Sequence, residues 1–593
     1  MGRVYGPKMG IAPLDPSYGS ENGMLETMTP PIPASTGVLI VGAGPVGLAL
    51  AGDLGSRGVT CLLIEQSDGS IVQPRMDMVG VRTMEFCRRW GLADAVRDAP
   101  YPRDLWQDCV WGTSITGYEF GRERFASRGD EQAAPGSPQK RERVPQDMFD
   151  PILFDFARRQ PSVTIRHLCR LVGFEEMADH VLVTVEDAVS GGRQVVEAAY
   201  LAGCDGGAST VRSRLGIAMS GEPTLTYTTN IIFRSPALKT LHDKGQFYRF
   251  IAFDERGMWG TIVAIDGRDR YRVSIVGNDQ PRRYSDREIG DAVRKIVGVD
   301  FPFEIVSVLP WIRRLLVADS YGTARVFIAG DAAHMFSPTG GFGMNTGIQD
   351  SVDLAWKLDA VLAGWGGRHL MKSYEFERRP VAIRNVTEAG GNLDRMVMPK
   401  ADPLVFQAGP AGDAARADFG RRYTNAMRRE WFSTGIHLGY RYEHSPIVVS
   451  DGTPEPPDDP AIYVATARPG HRAPHVWLAA DGRSTLDLFG RGFVLMRLGD
   501  AAPDGAAFVA AAAARKVPVT VYESSQPDLV HVYEKPLVLV RPDGHVAWRG
   551  DAFPPDLGGL VGTVRGDTAP GDVPRPEVGF GQRGVVLVPA AKA

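Results

Sequence analysis

Four consecutive apolar residues, Val38-Leu39-Ile40-Val41, open the first clearly patterned stretch of the chain. A short run without polar alternation marks a strand buried on both faces. The pattern breaks at Gly42-Ala43-Gly44-Pro45-Val46-Gly47 and resumes with helical character at Leu48-Ala49-Leu50-Ala51. Thr60-Cys61-Leu62-Leu63-Ile64 is a second buried strand, closing at Glu65. Strand, helix and strand together take roughly 30 residues, the length of one β-α-β unit. Farther on, β-branched residues dominate Val181-Leu182-Val183-Thr184-Val185, and several strand-like runs fall between 230 and 277, among them Arg272-Val273-Ser274-Ile275-Val276. Helical periodicity returns from Ile348 to Leu362, with Val352, Ala355, Trp356 and Leu358 on the buried side. A Pro/Asp-rich stretch at 451–460 reads as a linker. Beyond it, short strands alternate with alanine-rich helical segments, and Val538 to Trp548 reads as strand, tight turn, strand. No internal repeat is visible.

The chain has 593 residues, enough for roughly three to five domain-sized units. Hydrophobic residues make up 44% and charged residues 23%, as in soluble globular chains. A formal charge of −4 argues against a nucleic-acid binder, which would carry a basic excess. No apolar run approaches the ~20 residues of a membrane helix, and the alanines at Ala510–Ala514 are too few and too weakly apolar. The five cysteines lie at Cys61, Cys87, Cys109, Cys169 and Cys204, none at Cys-x-x-Cys spacing. That pattern fits neither a disulfide frame nor a zinc site, so a reducing, cytoplasmic setting is expected. Residues 1–36 are rich in Gly, Pro, Ser and Met and lack an apolar core. They read as a mobile extension and not as a secretory signal.

Three motifs carry candidate chemistry. In Gly42-x-Gly44-x-x-Gly47, the first glycine permits the tight turn, the second lets a pyrophosphate approach the backbone, and the third lets helix and strand pack closely. The helix N-terminus offers free N–H groups to phosphate. Glu65, followed by Gln66, stands where a carboxylate can accept from a ribose 2′-hydroxyl, as in FAD or NAD. Cys204-Asp205-Gly206-Gly207 ends a strand in a turn before a helix, which by itself is also what an ordinary turn looks like. Arg325-Val326-Phe327-Ile328-Ala329-Gly330-Asp331-Ala332-Ala333-His334 delivers Gly-Asp to the carboxyl end of a buried strand and runs into the Gly-rich Ser337–Asn345 stretch before a long helix. Ligands of parallel sheets sit at such ends.

Taken together and in this order, the three segments resemble the FAD-dependent aromatic monooxygenases of the p-hydroxybenzoate hydroxylase type, and within them the phenol hydroxylase and chlorophenol monooxygenase branch. The resemblance runs from Val38 to the C-terminus. It implies an α/β fold: a Rossmann-like FAD-binding domain interleaved with a mixed β-sheet substrate domain, plus a C-terminal thioredoxin-like domain. The expected divisions are 1–36, 37–220 and 321–450 around the substrate sheet at 221–320, the linker at 451–460, and the tail at 461–593. By the same resemblance the turn from Gly42 through Ala43, Gly44, Pro45 and Val46 to Gly47 holds the FAD pyrophosphate, and Glu65 with Gln66 the adenosine ribose. Arg75 lies beside the cofactor, Gln146 contacts it, and Asp205 and Gly206 form an Asp-Gly element tied to both FAD and NAD(P)H. Asp331 takes the ribityl chain, Gly343, Met344 and Asn345 face the flavin pyrimidine with their backbone, and Pro338 sits at the reacting edge. A second fingerprint with paired redox cysteines, as in a disulfide reductase, is missing, and so is the Trp-x-Trp-x-Ile-Pro signature of flavin-dependent halogenases. In the family NAD(P)H docks transiently, without a Rossmann domain of its own.

The implied activity is hydroxylation of a phenolic or related ring with O2 and NADPH or NADH through a flavin C4a-hydroperoxide. The same chemistry on a larger natural product is the alternative, and a flavin-binding sensor is the non-enzyme one. A base near the ring hydroxyl makes the ring more nucleophilic. Asp77, five residues before Arg82, is the expected base, against the plainer reading of a loop carboxylate. Alignment puts Ser274 or its neighbours where the family has a strand Tyr, with Tyr271 nearby; Phe342 and Met344 are further candidates for the ring or substrate. His334 either lines the flavin or makes a local structural bond. Arg395, Arg428, Arg429, Arg441 and Arg472 read as solvated. No cysteine lies in 461–593, so the thioredoxin-like part is expected to do no thiol chemistry and to serve packing or oligomer contacts. Expected partners are a small aromatic substrate and further copies of the chain, with no metal, nucleic acid or membrane span.

Overall fold

Val38, Leu39 and Ile40 are fully buried in the strand Ser35–Val41, which pairs in parallel with Cys61–Ile64 on one side and Arg193–Gly203 on the other. The computed structural model describes residues 30–71, 73–478, 482–568, 577–581 and 584–588; positions 1–29 of the expected mobile extension lie outside the described residues. Val163–Arg166 extends the sheet beyond Cys61–Ile64, and Val326–Ile328 joins the far end of Arg193–Gly203, both in parallel. Antiparallel Val181–Asp187 and Cys169–Glu176 complete the seven strands. The Pro45–Ser56 helix lies on this sheet beneath the Phe342–Leu362 helix, with Ser351 Oγ donating to Val46 O at 2.8 Å.

A second sheet has eight strands. Its middle is the antiparallel set Glu304–Ala318, Met219–Arg234, Arg270–Asn278, Gly257–Ala264 and Arg249–Asp254. Cys109–Gly112 and Glu119–Glu123 close one edge. These two fall in the stretch 37–220 assigned to the cofactor unit; they join the substrate sheet because Trp111 and Phe120 belong to its apolar layer with Phe253 and Phe419. Side chains alternate across a strand, and the two faces differ. Ile231, Phe233, Ile262, Tyr271 and Val273 face the Asp286–Val297 helix, which a Ser285/Glu288 capping box starts and Gly298 (φ 95°) ends. The other face looks toward the helices Lys372–Val397 and Pro410–Trp431 and toward the cofactor unit.

The long helix expected from Ile348 begins at Phe342. Two glycines at positive φ, Gly340 (92°) and Gly341 (68°), turn the chain into it. Its first turn carries Gly343 and Asn345, both weak helix formers, so apolar periodicity does not register there.

The tail folds as Phe493–Leu498, the helix Ala506–Ala513, Val519–Ser524, the helix Pro527–Tyr533, Leu537–Val540, Val546–Gly550 and the helix Leu557–Arg565. The first two strands pair in parallel and the rest antiparallel, the thioredoxin-like arrangement. The 451–460 segment is a strap and not a loose tether. Arg384 Nε meets Asp458 at 2.6 Å and Arg549 Nε meets Asp451 at 2.6 Å. Among the described residues no helix is long and apolar enough to cross a membrane.

Candidate functional site

Gly42 has φ 102°, and a Cβ there would lie 2.4 Å from Cys204 O. At Gly47 a Cβ would lie 1.9 Å from Gly42 O, so helix and turn touch only because the side chain is absent. Gly44 differs: its backbone is ordinary (φ −72°), yet no protein atom lies within 4 Å of where a Cβ would be. The open space lies at the start of a helix with Pro45 at its first position, where N–H groups are free for an anion. Val46 packs beneath Gly330 and Gly347. Glu65 Oε2 accepts from Ala43 N at 2.9 Å, and Oε1 from Ser67 N and Oγ at 2.8 Å. Oε2 keeps a lone pair for a ribose hydroxyl. Gln66 is exposed beside it.

Asp205 spends its carboxylate inside the protein. It accepts from Thr210 N (2.7 Å), Val211 N (3.1 Å) and Ser209 Oγ (2.5 Å), starting the short helix after the turn at Gly206 (φ 77°). Arg212 ties this turn to the next wall of the groove by donating to Gly207 O and Ala332 O at 2.9 and 3.0 Å. Asp331, on that wall, is open to the groove although protein surrounds it. The enclosure raises its pKa, against the pull of His334 and Arg75. His334 is wholly buried and bonds Asp350 at 2.6 Å, so its role is the local structural one. Asp350 also accepts from Gly330 N (3.2 Å) and Arg378 Nε (2.7 Å), which fixes the Gly-Asp turn.

Arg75 is exposed to the same groove, and its backbone N donates to Gln146 Oε1 at 3.0 Å. Gln146 Nε2 in turn donates to Asp150 at 3.0 Å. Asp150 is buried, and desolvation pushes its pKa up to about 7. Asn345 Oδ1 accepts from Gly80 N and Thr83 Oγ1, both at 2.7 Å, while its Nδ2 donates to Met78 O and Gly341 O. Its side chain therefore binds the 78–83 stretch to the Gly-rich turn, and the first-turn N–H groups near Gly343 and Met344 have no intrahelical partner. Pro338 is exposed between Ser337 and Thr339, which are 0% and 3% exposed. Gly44 with open space at its Cβ position, the accessible Asp331 and the exposed Pro338 are the residues that could hold FAD. Phe342 is not among them: the ring is buried edge-on against His437.

Asp77 lies next to the short strand Met78–Val79, which pairs with Glu142–Arg143. Its carboxylate accepts a hydrogen bond from Tyr248 Oη and lies 3.5 Å from Arg143 Nη1. The Arg143 guanidinium sits 3.3 Å from the Tyr248 ring centroid. Burial and the neighbouring Asp77 hold the Tyr248 pKa well above its ordinary value, so the phenol donates. Tyr271 is on the wrong face: it stacks on Phe233 under the outer helix and donates to Arg268 O. Its sequence neighbours point inward instead. Arg272 donates to Pro74 O (3.1 Å) and Ser274 to Asn230 Oδ1 (2.7 Å).

Three arginines gather on this inner face. Arg249 pairs with Glu430 at 3.0 Å. Arg313 is 5% exposed and reaches only hydroxyls, Thr228 at 3.0 Å and Ser337 at 3.4 Å. Among the described residues no carboxylate lies within ion-pair distance of Arg313 or Arg272. Burial lowers the Arg313 pKa to about 10, helped by repulsion from Arg249 and Arg272 and opposed by Glu430. Tyr248, Arg143, Arg249, Arg313 and Glu430 are not among the residues sequence reasoning selected. Strand alternation could have picked out Arg272, since it shares parity with Ser274; nothing local marks Tyr248 or Glu430.

Comparison with known proteins gives a consistent answer. Residues 35–389 match the FAD binding domain family and residues 466–566 the aromatic-ring hydroxylase C-terminal family. The chain is 33% identical over 553 residues to the FAD-dependent monooxygenase apdD of Emericella nidulans, covering 87% of each. It is 31% identical over 580 residues to the 2,4-dichlorophenol 6-monooxygenase of Cupriavidus pinatubonensis, covering 89% of this chain and 96% of that one. Among solved structures, the rebeccamycin biosynthetic enzyme RebC, seen with reduced flavin, superposes with a TM-score of 0.83 at 40% identity, covering 91% of this chain and 100% of that one. The RebC structure with bound 7-carboxy-K252c gives a TM-score of 0.84 at 41% identity and the same coverage.

Proposed function

This chain belongs to the FAD-binding aromatic-ring hydroxylases and is an FAD-dependent monooxygenase of aromatic substrates, and from that premise we propose that its substrate is a large aromatic natural product carrying a carboxylate. One observation carries the carboxylate: Arg313 is buried without an acidic partner, beside Arg272 and Arg249. A buried guanidinium left unpaired is costly, and an incoming anion in bidentate contact removes that cost. The bound 7-carboxy-K252c of the solved relative supports both the size and the acid group.

FAD, when bound, supplies the redox chemistry, taking reducing equivalents from NAD(P)H and activating O2. The turn at Gly42–Gly47 with Glu65 holds its nucleotide half, and Asp331 with the backbone at Gly343 to Asn345 its flavin half. Asp77 Oδ1 accepts the proton of a ring hydroxyl or N–H, while Tyr248 and Arg143 hold Oδ2 and so fix the carboxylate. The arginines seat the substrate carboxylate so that the ring lies toward Pro338. Deep burial of Ser337, Thr339 and Tyr248 keeps that end of the pocket dry.

The test is a panel of polycyclic aromatic acids against their methyl esters and simple phenols, scored by stimulated NAD(P)H consumption and one added oxygen in the product. The acids are expected to be preferred at least tenfold; equal rates with the esters reject the anionic substrate. Single-ring phenols are the second reading, favoured by the Asp77–Tyr248 pair. We also place the protein in the cytoplasm, since all five cysteines are buried and unpaired, and expect a homo-oligomer, which sedimentation equilibrium checks.

A further inference from the structure

The tail lacks thiols, yet it sends two buried arginines into the cofactor unit. Arg472, read as solvated from sequence, is 1% exposed and meets Glu85 across a gap of 387 residues in the chain, with Nε at 3.0 Å from Oε2 and Nη2 on Oε1. Glu85 lies on the Val81–Arg89 helix and also accepts from Arg82 (2.7 Å) and Ser137 (2.6 Å). Burial alone would raise its pKa, but Arg472 and Arg82 hold it below the ordinary value, so it stays an anion. Arg82 then returns to the tail, donating to Asp543 O at 2.9 Å. The turn that carries Asp543 sits so close that a Cβ on Gly544 would lie 3.4 Å from the guanidinium tips of both Arg82 and Arg89. Arg541 is the second arginine, forked onto Glu377 at 2.5 and 2.9 Å.

Both contacts lead to flavin loops. The Val81–Arg89 helix starts at Gly80, whose N–H donates to Asn345, and Thr83 in its first turn donates to the same oxygen. Asp77 lies three residues before Gly80. Glu377 adjoins Arg378, which holds Asp350 and through it the Gly330 N–H beside Asp331.

We propose that the thioredoxin-like tail is a clamp for the flavin site, in which Arg472 and Glu85 are positioning residues that set the Val81–Arg89 helix and through it Asn345 and Asp77. A fork of two N–H groups fixes angle as well as distance, so the helix start is held at one orientation before cofactor arrives. This gives the tail a task that needs no cysteine. The inference rests on the FAD assignment and not on the carboxylated substrate.

The experiment compares Arg472→Met, Arg472→Lys and Leu529→Ala, the last being a cavity in the tail's own core that removes no atom of the Arg472–Glu85 contact. Hydrogen–deuterium exchange of the hydrogen-bonded Gly80 and Met84 amides is read in FAD-free protein, together with the FAD dissociation constant and Tm. Arg472→Met is expected to raise both exchange and dissociation constant at least tenfold. Arg472→Lys, which keeps the charge and loses the fork, is expected to lie between it and the parent. Leu529→Ala is expected to lower Tm with neither change. Parent-like exchange and FAD affinity in Arg472→Met overturn the proposal, as does a Leu529→Ala variant that reproduces both effects. Should Arg472→Met fail to accumulate as folded protein, Arg472→Lys decides: a threefold rise in both readouts supports the clamp and parent-like values overturn it.

Discussion

Tyr248 donates its phenolic hydrogen to the carboxylate of Asp77, and the Arg143 guanidinium caps the Tyr248 ring 3.3 Å from its centroid. The three side chains come from three separate stretches of chain and meet where the second sheet faces the cofactor groove. If Asp77 takes a proton from the substrate, Asp77→Asn lowers hydroxylation by about 10²–10⁴-fold while flavin reduction by NAD(P)H persists. Stopped-flow absorbance of the flavin against product formation checks this; parallel losses in both half-reactions would remove Asp77 from the role. Tyr248→Phe leaves the carboxylate present but looser, and a loss of about tenfold is expected.

Gly44→Ala and Gly47→Ala should separate binding from folding. Space above Gly44 is empty and its φ of −72° suits any residue. The FAD-free Gly44→Ala protein is therefore expected to match the parent within about 0.5 kcal/mol but to bind FAD at least tenfold more weakly. At position 47 the methyl would stand 1.9 Å from Gly42 O, so the helix must move. A loss of about 3 kcal/mol or more is expected there. Denaturant melts with and without FAD tell the two apart.

Arg313→Met is expected to stabilise the substrate-free protein by about 1–2 kcal/mol, because it removes a buried charge that has no acidic partner. Ser337 keeps its contact with Thr339 Oγ1 (2.9 Å), while buried Thr228, which loses its bond from Arg313, offsets part of this gain. The same change should raise KM for an aromatic acid roughly 30- to 100-fold, the worth of about 2–3 kcal/mol for a charged hydrogen bond. Turnover of the matching ester should be unaffected.

Asp150 offers a pH test. Its folded pKa of about 7 lies above the unfolded carboxyl value of about 3.9. Its favourable contribution is thus complete below the unfolded pKa and is lost as pH rises through about 7. Asp150→Asn does not titrate and keeps an oxygen for Gln146. Its stability relative to the parent is expected to climb between pH 4 and 7 and then level off, by at most about 4 kcal/mol. Paired unfolding curves across that range check the slope; a constant difference would mean that Asp150 titrates normally.

The geometry of the Gly42–Gly47 turn was legible because most of its rules are local. Gly42 is required by the positive φ of its own turn (102°), Gly47 by the Gly42 carbonyl five residues back, and Glu65 ends the strand next door. The substrate side was not, because a single step of strand parity decides which side chain faces inward. Tyr271 and Arg272 are adjacent in sequence, yet one stacks on Phe233 beneath the outer helix and the other reaches Pro74 at the groove. Burial of Arg472 could not be read at all, since Glu85 is 387 residues away and no periodicity links them. The helix start was misplaced for a different reason: its first turn is built to expose backbone, and such a turn carries no apolar stripe.

The strand Ser35–Val41 gains its neighbour Cys61–Ile64 at once during synthesis, but the wall of the groove that carries Asp331 comes much later. Val46 is covered only when Gly330 and Gly347 arrive, and Asn345 must be present before Gly80 has a partner. A ribosome making this protein therefore exposes the fingerprint turn long before the site around it is complete. The turn at Gly42–Gly47 and the segment that closes over it are thus made about 280 residues apart, and the contacts between them form only once the later one has emerged.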